Sequence, residues 1–113
     1  MSILSVLIGE RPAARRAREI ASLPEGDLAA WNTSRAELTA LAAMPAEQIA
    51  RMETMAHVFG AELQRPEDEA EIARACSGCT EHRACRRELA HETSPEACGF
   101  CPNAETFSRI AAG

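Results

Sequence analysis

The chain has 113 residues and a formal net charge of −5, from 17 acidic and 12 basic side chains. This length suits one small domain, and the acidic excess argues against a general nucleic-acid binder, which normally carries a basic surplus. Hydrophobic residues make up 46% of the chain but aromatic residues only 4%. The core is therefore expected to consist of small aliphatic side chains, and a further stabilising element such as a metal would strengthen it.

The first eight residues, MSILSVLI, include six apolar side chains. No basic residue precedes this run, and it is far shorter than the ~20 residues that span a bilayer, so it predicts neither a secretory signal nor a transmembrane helix. We expect residues 1–8 to pack on the core or, alternatively, to dock on a partner or a membrane surface. Without an export signal the expected location is the reducing cytoplasm, where clustered cysteines more often bind metal or carry out redox chemistry than form disulfides.

The following segment indicates short helices with clear start signals. Pro12 is expected in the first turn of a helix. Ser22 with Glu25, and Ser34 with Glu37, have the spacing of a capping box, in which the serine caps the helix and the glutamate follows three residues later. Each pair therefore predicts a helix start.

Pro45 begins the clearest helix pattern of the chain, and Gly60 is expected to end it. Apolar residues at positions i, i+3, i+7 and i+10 form one stripe along this helix. Met52 and Met55 are interpreted as core side chains rather than as ligands. The stripe consists of Ile49, Met52, Ala56 and Phe59.

The C-terminal half also indicates helices. Pro66 and the three acidic residues after it predict a helix that reaches Cys76. A further helix is expected from near Thr80, and the last helix is expected to open at Cys101 and Pro102. No segment shows a convincing alternation typical of a strand.

These elements predict an all-α fold, a small bundle of short helices with a C-terminal metal-binding module of four cysteines. The chain is expected to form a single domain, 1–113. Residues 11–75 are expected to form the helical scaffold, and residues 76–113 the cysteine-rich module packed on it.

All five cysteines lie within this module. Cys76 and Cys79 are separated by two residues, a spacing that lets two thiolates face one ion or cluster, and Gly78 is expected to permit the tight turn between them. A single pair of this kind is only moderately specific, but five cysteines so close together strongly indicate a metal or cluster site. The five are Cys76, Cys79, Cys85, Cys98 and Cys101.

Two sets of four cysteines compete as ligands. Cys76, Cys79, Cys98 and Cys101 have a familiar zinc spacing, C-x2-C-x18-C-x2-C, and leave Cys85 spare. Cys76, Cys79, Cys85 and Cys101 leave Cys98 spare; their first three follow C-x2-C-x5-C, and a proline follows the last, which is typical of an iron–sulfur site. Zinc would accept either set of thiolates.

Three resemblances favour the second set. Its C-x2-C-x5-C portion resembles the iron–sulfur loop of endonuclease III-type DNA glycosylases, and its Cys-Pro step resembles the last ligand of bacterial ferredoxins. The segment Phe100–Ala104, FCPNA, with Leu23–Leu28 upstream, resembles a family of small uncharacterised bacterial cysteine-rich proteins, a domain of unknown function. This resemblance covers roughly residues 20 to 112 and implies Cys98 as the extra cysteine. The ligands that it implies are Cys76, Cys79, Cys85 and Cys101.

The surroundings of the cysteines also suggest a cluster site. A helix beginning at Pro102 would point free N–H groups and its positive dipole end at Cys101, which would stabilise a thiolate. Phe100 and Phe107 are expected to shield the site from water.

Other polar residues of the module have less specific interpretations. His82 and His91 are expected beside the site or on the surface, because four cysteines already suffice as ligands. Three arginines form a basic patch near Cys85. The patch would dock an acidic redox partner, offset the charge of a cluster, or belong to a solvated helix face paired with Glu81 and Glu88. The three arginines are Arg83, Arg86 and Arg87.

The leading hypothesis is a small cytoplasmic iron–sulfur protein with a [4Fe-4S] cluster. Such a protein would act with a protein partner in electron transfer, in redox or iron sensing, or as an accessory subunit of an oxidoreductase. One alternative is a zinc-stapled interaction module without a redox role. Another is a thiol redox switch that pairs Cys98 with Cys101 or Cys76 with Cys79. No constellation of catalytic residues predicts standalone catalysis.

Overall fold

The computed structural model describes residues 13–113, so the expectations for Pro12 and for residues 1–8 fall outside it. Over the described range the fold is all-α, as predicted, with seven α-helices, one short 3-10 helix and no strand. No helix within this range combines the length and the apolar character that crossing a membrane requires. The elements are α1 Ala13–Ala21, α2 Glu25–Ala30, α3 Arg35–Ala42, α4 Ala46–Val58, α5 Pro66–Ser77, α6 His82–Leu89, the 3-10 helix Pro95–Cys98 and α7 Ala104–Ala111.

Only one of the two predicted serine caps forms. Ser34 is the N-cap of α3, and its hydroxyl accepts a hydrogen bond from the backbone N–H of Glu37 at 3.1 Å. The prediction for Ser22 is wrong, because its hydroxyl donates backwards to the carbonyl of Glu19 at 2.9 Å. Pro24 occupies the N-cap position of α2 without a side-chain cap.

The two serines form a matched pair for a stability test. Replacing Ser34 by Ala is expected to lower the free energy of unfolding by about 1 kcal/mol, because the N–H of Glu37 loses its partner. Replacing Ser22 by Ala removes only a hydrogen bond to an exposed helix end and is expected to cost less. Chemical denaturation of both variants measures the difference, and equal losses would contradict the assignment of the cap.

The longest helix, α4, ends as predicted at glycine. Gly60 has a positive φ of 70°, a conformation that favours glycine. Its N–H bonds to the carbonyl of His57 at 3.0 Å, and the N–H of Ala61 bonds to the carbonyl of Ala56 at 2.9 Å. These two bonds form a Schellman motif, which satisfies the last carbonyls of the helix and turns the chain towards α5.

The core joins the two halves of the described chain. Phe107 of α7 is fully buried and packs against Phe59 just after α4, with ring centroids 5.5 Å apart. Met52 and Met55 are buried in this core, as predicted. The remaining buried hydrophobic residues are mostly small aliphatic ones: Ile20, Leu23, Leu28, Leu38, Leu41, Ile49, Ala56, Ala61, Ala70, Ile72, Ala73 and Cys98.

Helix α5, which leads into the first cysteine pair, is tied to α3 by an ion pair. The guanidinium of Arg74 contacts the carboxylate of Glu37, with its Nε 2.8 Å from Oε2, and also donates to the carbonyl of Asn32 at 3.1 Å. The hydrogen bonds from Arg74 lower the pKa of Glu37 below its usual value. The ion pair thus holds the surface side of α5 against the N-terminal helices.

The last helix begins later than predicted. Cys101 and Pro102 lie in a turn, and α7 starts only at Ala104. The turn is closed by hydrogen bonds from the N–H of Cys101 to the carbonyl of Cys98 at 3.1 Å, and from the N–H of Ala104 to the carbonyl of Cys101 at 3.0 Å. Cys101 is therefore presented from a loop before the helix rather than from its first turn.

Candidate metal centre

Four of the five cysteines line one cavity. The cavity has a volume of about 30 Å³ and is partly open to solvent, and all four cysteines are half-buried. They come from three separate parts of the fold: α5 and the loop after it, α6, and the turn before α7. These cysteines are Cys76, Cys79, Cys85 and Cys101.

The link between the first two cysteines is a short turn. Cys76 lies in the last turn of α5, and the N–H of Cys79 bonds to its carbonyl at 3.1 Å. Gly78 caps the helix with φ −92°, and a Cβ atom there would lie 4.0 Å from the nearest carbonyl oxygens. Gly78 thus sits in the turn as predicted, and neither its φ nor the space around it excludes a larger residue.

Cys98 lies apart from the cavity. It ends the 3-10 helix, its side chain is fully buried in the hydrophobic core, and its sulfur lies 3.7 Å from the hydroxyl of Thr93. Cys98 does not line the cavity. The cysteines around the cavity are thus those of the second predicted set, in which Cys98 is spare.

Backbone N–H groups point at two of the four sulfurs. The N–H of Glu81 donates to the sulfur of Cys79 at 3.2 Å, and the N–H of Asn103 donates to the sulfur of Cys101. Hydrogen bonds of this kind stabilise a thiolate more than a neutral thiol. Asn103 is the N-cap residue of α7, so the donor to Cys101 comes from the start of the last helix.

Gln48 of α4 reaches a third sulfur. Its buried side-chain amide donates to the carbonyl of Cys76 at 2.8 Å and lies 3.8 Å from the sulfur of the same residue. This contact joins residues 28 positions apart in the sequence. It fixes the end of α5 against α4, so the scaffold orients the first cysteine of the site.

Burial keeps three of the thiols in their protonated form. It raises the pKa of Cys76 and of Cys85 above the usual range, and it raises the pKa of Cys101 to about 11. The hydrogen bond from Asn103 opposes this rise at Cys101, and the positive charge of Arg51 opposes it at Cys76 and Cys85. A metal that binds these sulfurs must therefore displace protons.

Arg51 is a wall residue of the cavity that the sequence did not single out. It lies on α4 one turn after Gln48 and is half-buried. Within residues 13–113 no carboxylate forms an ion pair with it. The only available signal was its position beside the predicted apolar stripe, on the helix face that also carries Met52 and Met55.

Asn103 is a second residue without a predicted role, although it belongs to the FCPNA motif. It is buried, and its side-chain amide donates to the carbonyl of Ile72 at 2.9 Å. Ile72 lies one turn before Cys76 on α5. The hydrogen bond therefore holds the turn with Cys101 beside the end of α5, and so brings the last cysteine to the other three.

Apolar side chains complete the cavity wall. Phe100 and Phe107, which were expected to shield the site, both line it, and the two buried methionines of α4 line it as well. His82 also lines the cavity and is half-buried, so it lies beside the cysteines. His91 is exposed, does not line the cavity, and has its Nε2 3.9 Å from Glu88.

The basic patch on α6 is exposed. Arg87 pairs with Glu88, with 3.9 Å between Nε and Oε2, which fits the interpretation as a solvated face. Arg83 and Arg86 are exposed and have no carboxylate partner among residues 13–113, so the pairing predicted for them with Glu81 and Glu88 is not found there.

The sulfurs do not converge on a single point. Within residues 13–113 no group of three or more His, Cys, Asp or Glu side chains is arranged as a metal-ion site. The four cysteines instead lie around the wall of the cavity. Any group bound to all four would have to draw their side chains together across it.

One comparison with known proteins identifies a family. The profile of a family of unknown function, DUF6455, matches residues 40–113, which include α4, all four cavity cysteines and the FCPNA motif. Searches of curated proteins and of solved structures found no match. The likeness to the endonuclease III loop stays a prediction. Because the match covers more than half of the chain, this protein belongs to the DUF6455 family of unknown function.

Proposed function

We propose that this chain is a small iron–sulfur protein that holds a [4Fe-4S] cluster on four cysteines and works with a protein partner in the cytoplasm. Its role would be electron transfer, redox or iron sensing, or that of an accessory subunit of an oxidoreductase. When bound, the cluster supplies one-electron redox chemistry. The four ligands are Cys76, Cys79, Cys85 and Cys101.

One observation carries this proposal: four cysteines from three segments line one cavity, while the fifth is buried in the core. Cysteines serving only as small hydrophobic residues have no reason to gather around a partly open space. The surroundings are also suitable, since N–H groups point at the sulfurs of Cys79 and Cys101 and the amide of Gln48 lies near that of Cys76. Thiolates in a cluster site are commonly stabilised in this way.

The spread of the four sulfurs, rather than the size of the cavity, supports a cluster over a single ion. A zinc ion holds each of its four sulfurs at about 2.3 Å, which requires them to converge on one point. Within residues 13–113 no three His, Cys, Asp or Glu side chains converge in this way, so the four cysteines stand apart around the cavity wall. A larger group needs less movement of the four side chains than a single ion does.

The residues of the cavity wall would exclude water from the cluster and hold its ligands in place. Phe100 and Phe107 exclude water from one side of the site, which is one determinant of a cluster's reduction potential. Asn103 holds the Cys101 turn against α5, and Gln48 holds Cys76 against α4. The open part of the cavity gives a partner the closest approach to the site.

The test is a spectrum and a metal analysis of protein purified without oxygen. We expect a brown protein with about four iron and four acid-labile sulfide per chain, and a visible absorption band that bleaches on reduction. A colourless protein with one zinc and no sulfide would replace the proposal by the zinc-stapled module. A metal-free protein with a reversible disulfide after mild oxidation would favour the thiol switch.

A further inference from the structure

The arginines of the described chain differ in whether a carboxylate or water balances their charge. Six of them pair with carboxylates, and Arg83 and Arg86 lack such a partner but are exposed to water. Arg51, by contrast, lies half-buried on the cavity wall and has no carboxylate partner within residues 13–113. A half-buried cation without a counter-ion is costly, because burial removes part of its hydration. The paired arginines are Arg15, Arg35, Arg65, Arg74, Arg87 and Arg109.

The position of Arg51 suggests what balances its charge. It shares one face of α4 with Gln48 and Met52, and all three line the cavity. Its charge acts on Cys76 and on Cys85, which come from α5 and α6. Cys85 is also the one cavity cysteine for which the described residues provide no N–H donor to the sulfur. Arg51 thus provides a positive charge near Cys85, the cavity cysteine whose sulfur receives no hydrogen bond from an N–H group of the described residues.

The expected charge of the site explains the need for a cation. Four thiolates around either a [4Fe-4S] cluster or a zinc ion carry a net double negative charge. Reduction of a cluster adds one more negative charge. A nearby positive charge in a partly desolvated site stabilises both states, and the reduced state more strongly.

We infer that Arg51 is the built-in counter-charge of the four-cysteine centre, and that it raises the centre's reduction potential from a helix outside the cysteine module. This inference rests on the proposed function. Arg51 acts on the site through its charge and is not itself a ligand. The exposed arginines of α6 are screened by water and contribute much less.

The test compares midpoint reduction potentials of the intact, cluster-loaded protein. In Arg51→Gln, the ratio of reduced to oxidised protein at a fixed applied potential is expected to fall about tenfold, which equals ~59 mV for a one-electron couple. Arg51→Lys keeps the charge and is expected to stay close to the wild type. Arg86→Gln removes the same charge from an exposed position beside Cys85 and is expected to shift the ratio much less.

Each outcome decides the inference. An unchanged potential in Arg51→Gln, or an equal shift in Arg86→Gln, would overturn it while the proposed function stands. If Arg51→Gln does not take up a cluster but Arg51→Lys does, the result supports the role of charge. If neither variant takes up a cluster, the inference is overturned. The wild-type spectrum is recorded first, so a protein without a cluster rejects the proposed function, and this inference with it, before any variant is compared.

Discussion

Replacing Cys85 by Ala is expected to abolish cluster binding, whereas replacing Cys98 by Ala is expected to leave it intact. Cys85 lines the cavity with three other cysteines, and Cys98 is fully buried outside it. A cluster held by only three thiolates lacks one protein ligand, so the protein is expected to lose it. Iron content, sulfide content and visible absorption of the two variants, purified side by side without oxygen, measure the difference.

The two alanine variants control for each other, because each removes one thiol from the cysteine-rich region, that of Cys85 from α6 and that of Cys98 from the 3-10 helix. Cys98→Ala is expected to lower the free energy of unfolding by about 1 kcal/mol, since a small buried side chain is shortened. Loss of iron in Cys98→Ala together with full loading of Cys85→Ala would assign the fourth ligand to Cys98. The ligands would then be the first predicted set of cysteines, which has the zinc-type spacing.

Replacing Phe107 by Ala is expected to lower the free energy of unfolding by about 3–5 kcal/mol. The ring is fully buried, packs against Phe59 and forms part of the cavity wall. Domains of this size are commonly stable by about 5–15 kcal/mol, so the loss is a large share of the total. Urea unfolding followed by circular dichroism measures it on the wild type and the variant.

Two further variants provide reference values for the expected loss in the free energy of unfolding. Phe107→Leu keeps most of the volume and is expected to cost about 1.5 kcal/mol or less. Phe100→Ala removes a ring that also lines the cavity but is only half-buried, so a smaller loss than in Phe107→Ala is expected. If Phe107→Ala lost no more stability than Phe100→Ala, the central place of Phe107 in the core would be wrong.

The sequence predicted helices well where their signals are local. Gly60 ends α4 with the expected positive φ, and Ser34 caps α3. Ser22 has the same spacing to a following glutamate, yet its hydroxyl bonds to the preceding helix end. A short hydroxyl has several backbone partners within reach, and the path of the chain before it decides between them.

The sequence brought the four cavity cysteines to attention but not the residues that support them. Cys76, Cys79 and Cys85 are close in sequence, so their meeting at one cavity follows from two short helices and a turn. Gln48 contacts Cys76 across 28 positions, and Asn103 contacts Ile72 across 31. No local pattern encodes such contacts, because they depend on how α4, α5 and α7 pack together. The place of Arg51 on the cavity wall depends on the same packing, so no local pattern indicated it.

The hydrogen bond from Asn103 to Ile72 brings two distant stretches of chain together without any cofactor. A group bridging Cys76 and Cys101 would cross-link the same two stretches, in the way that a disulfide closes a loop. In the chain-entropy description, closing a loop of this length removes freedom worth about 3.5 kcal/mol from the unfolded ensemble. Because the folded geometry is already set by the amide, most of the gain would come from restricting the unfolded chain. The loaded protein would then resist proteolysis largely because its unfolded form has fewer conformations.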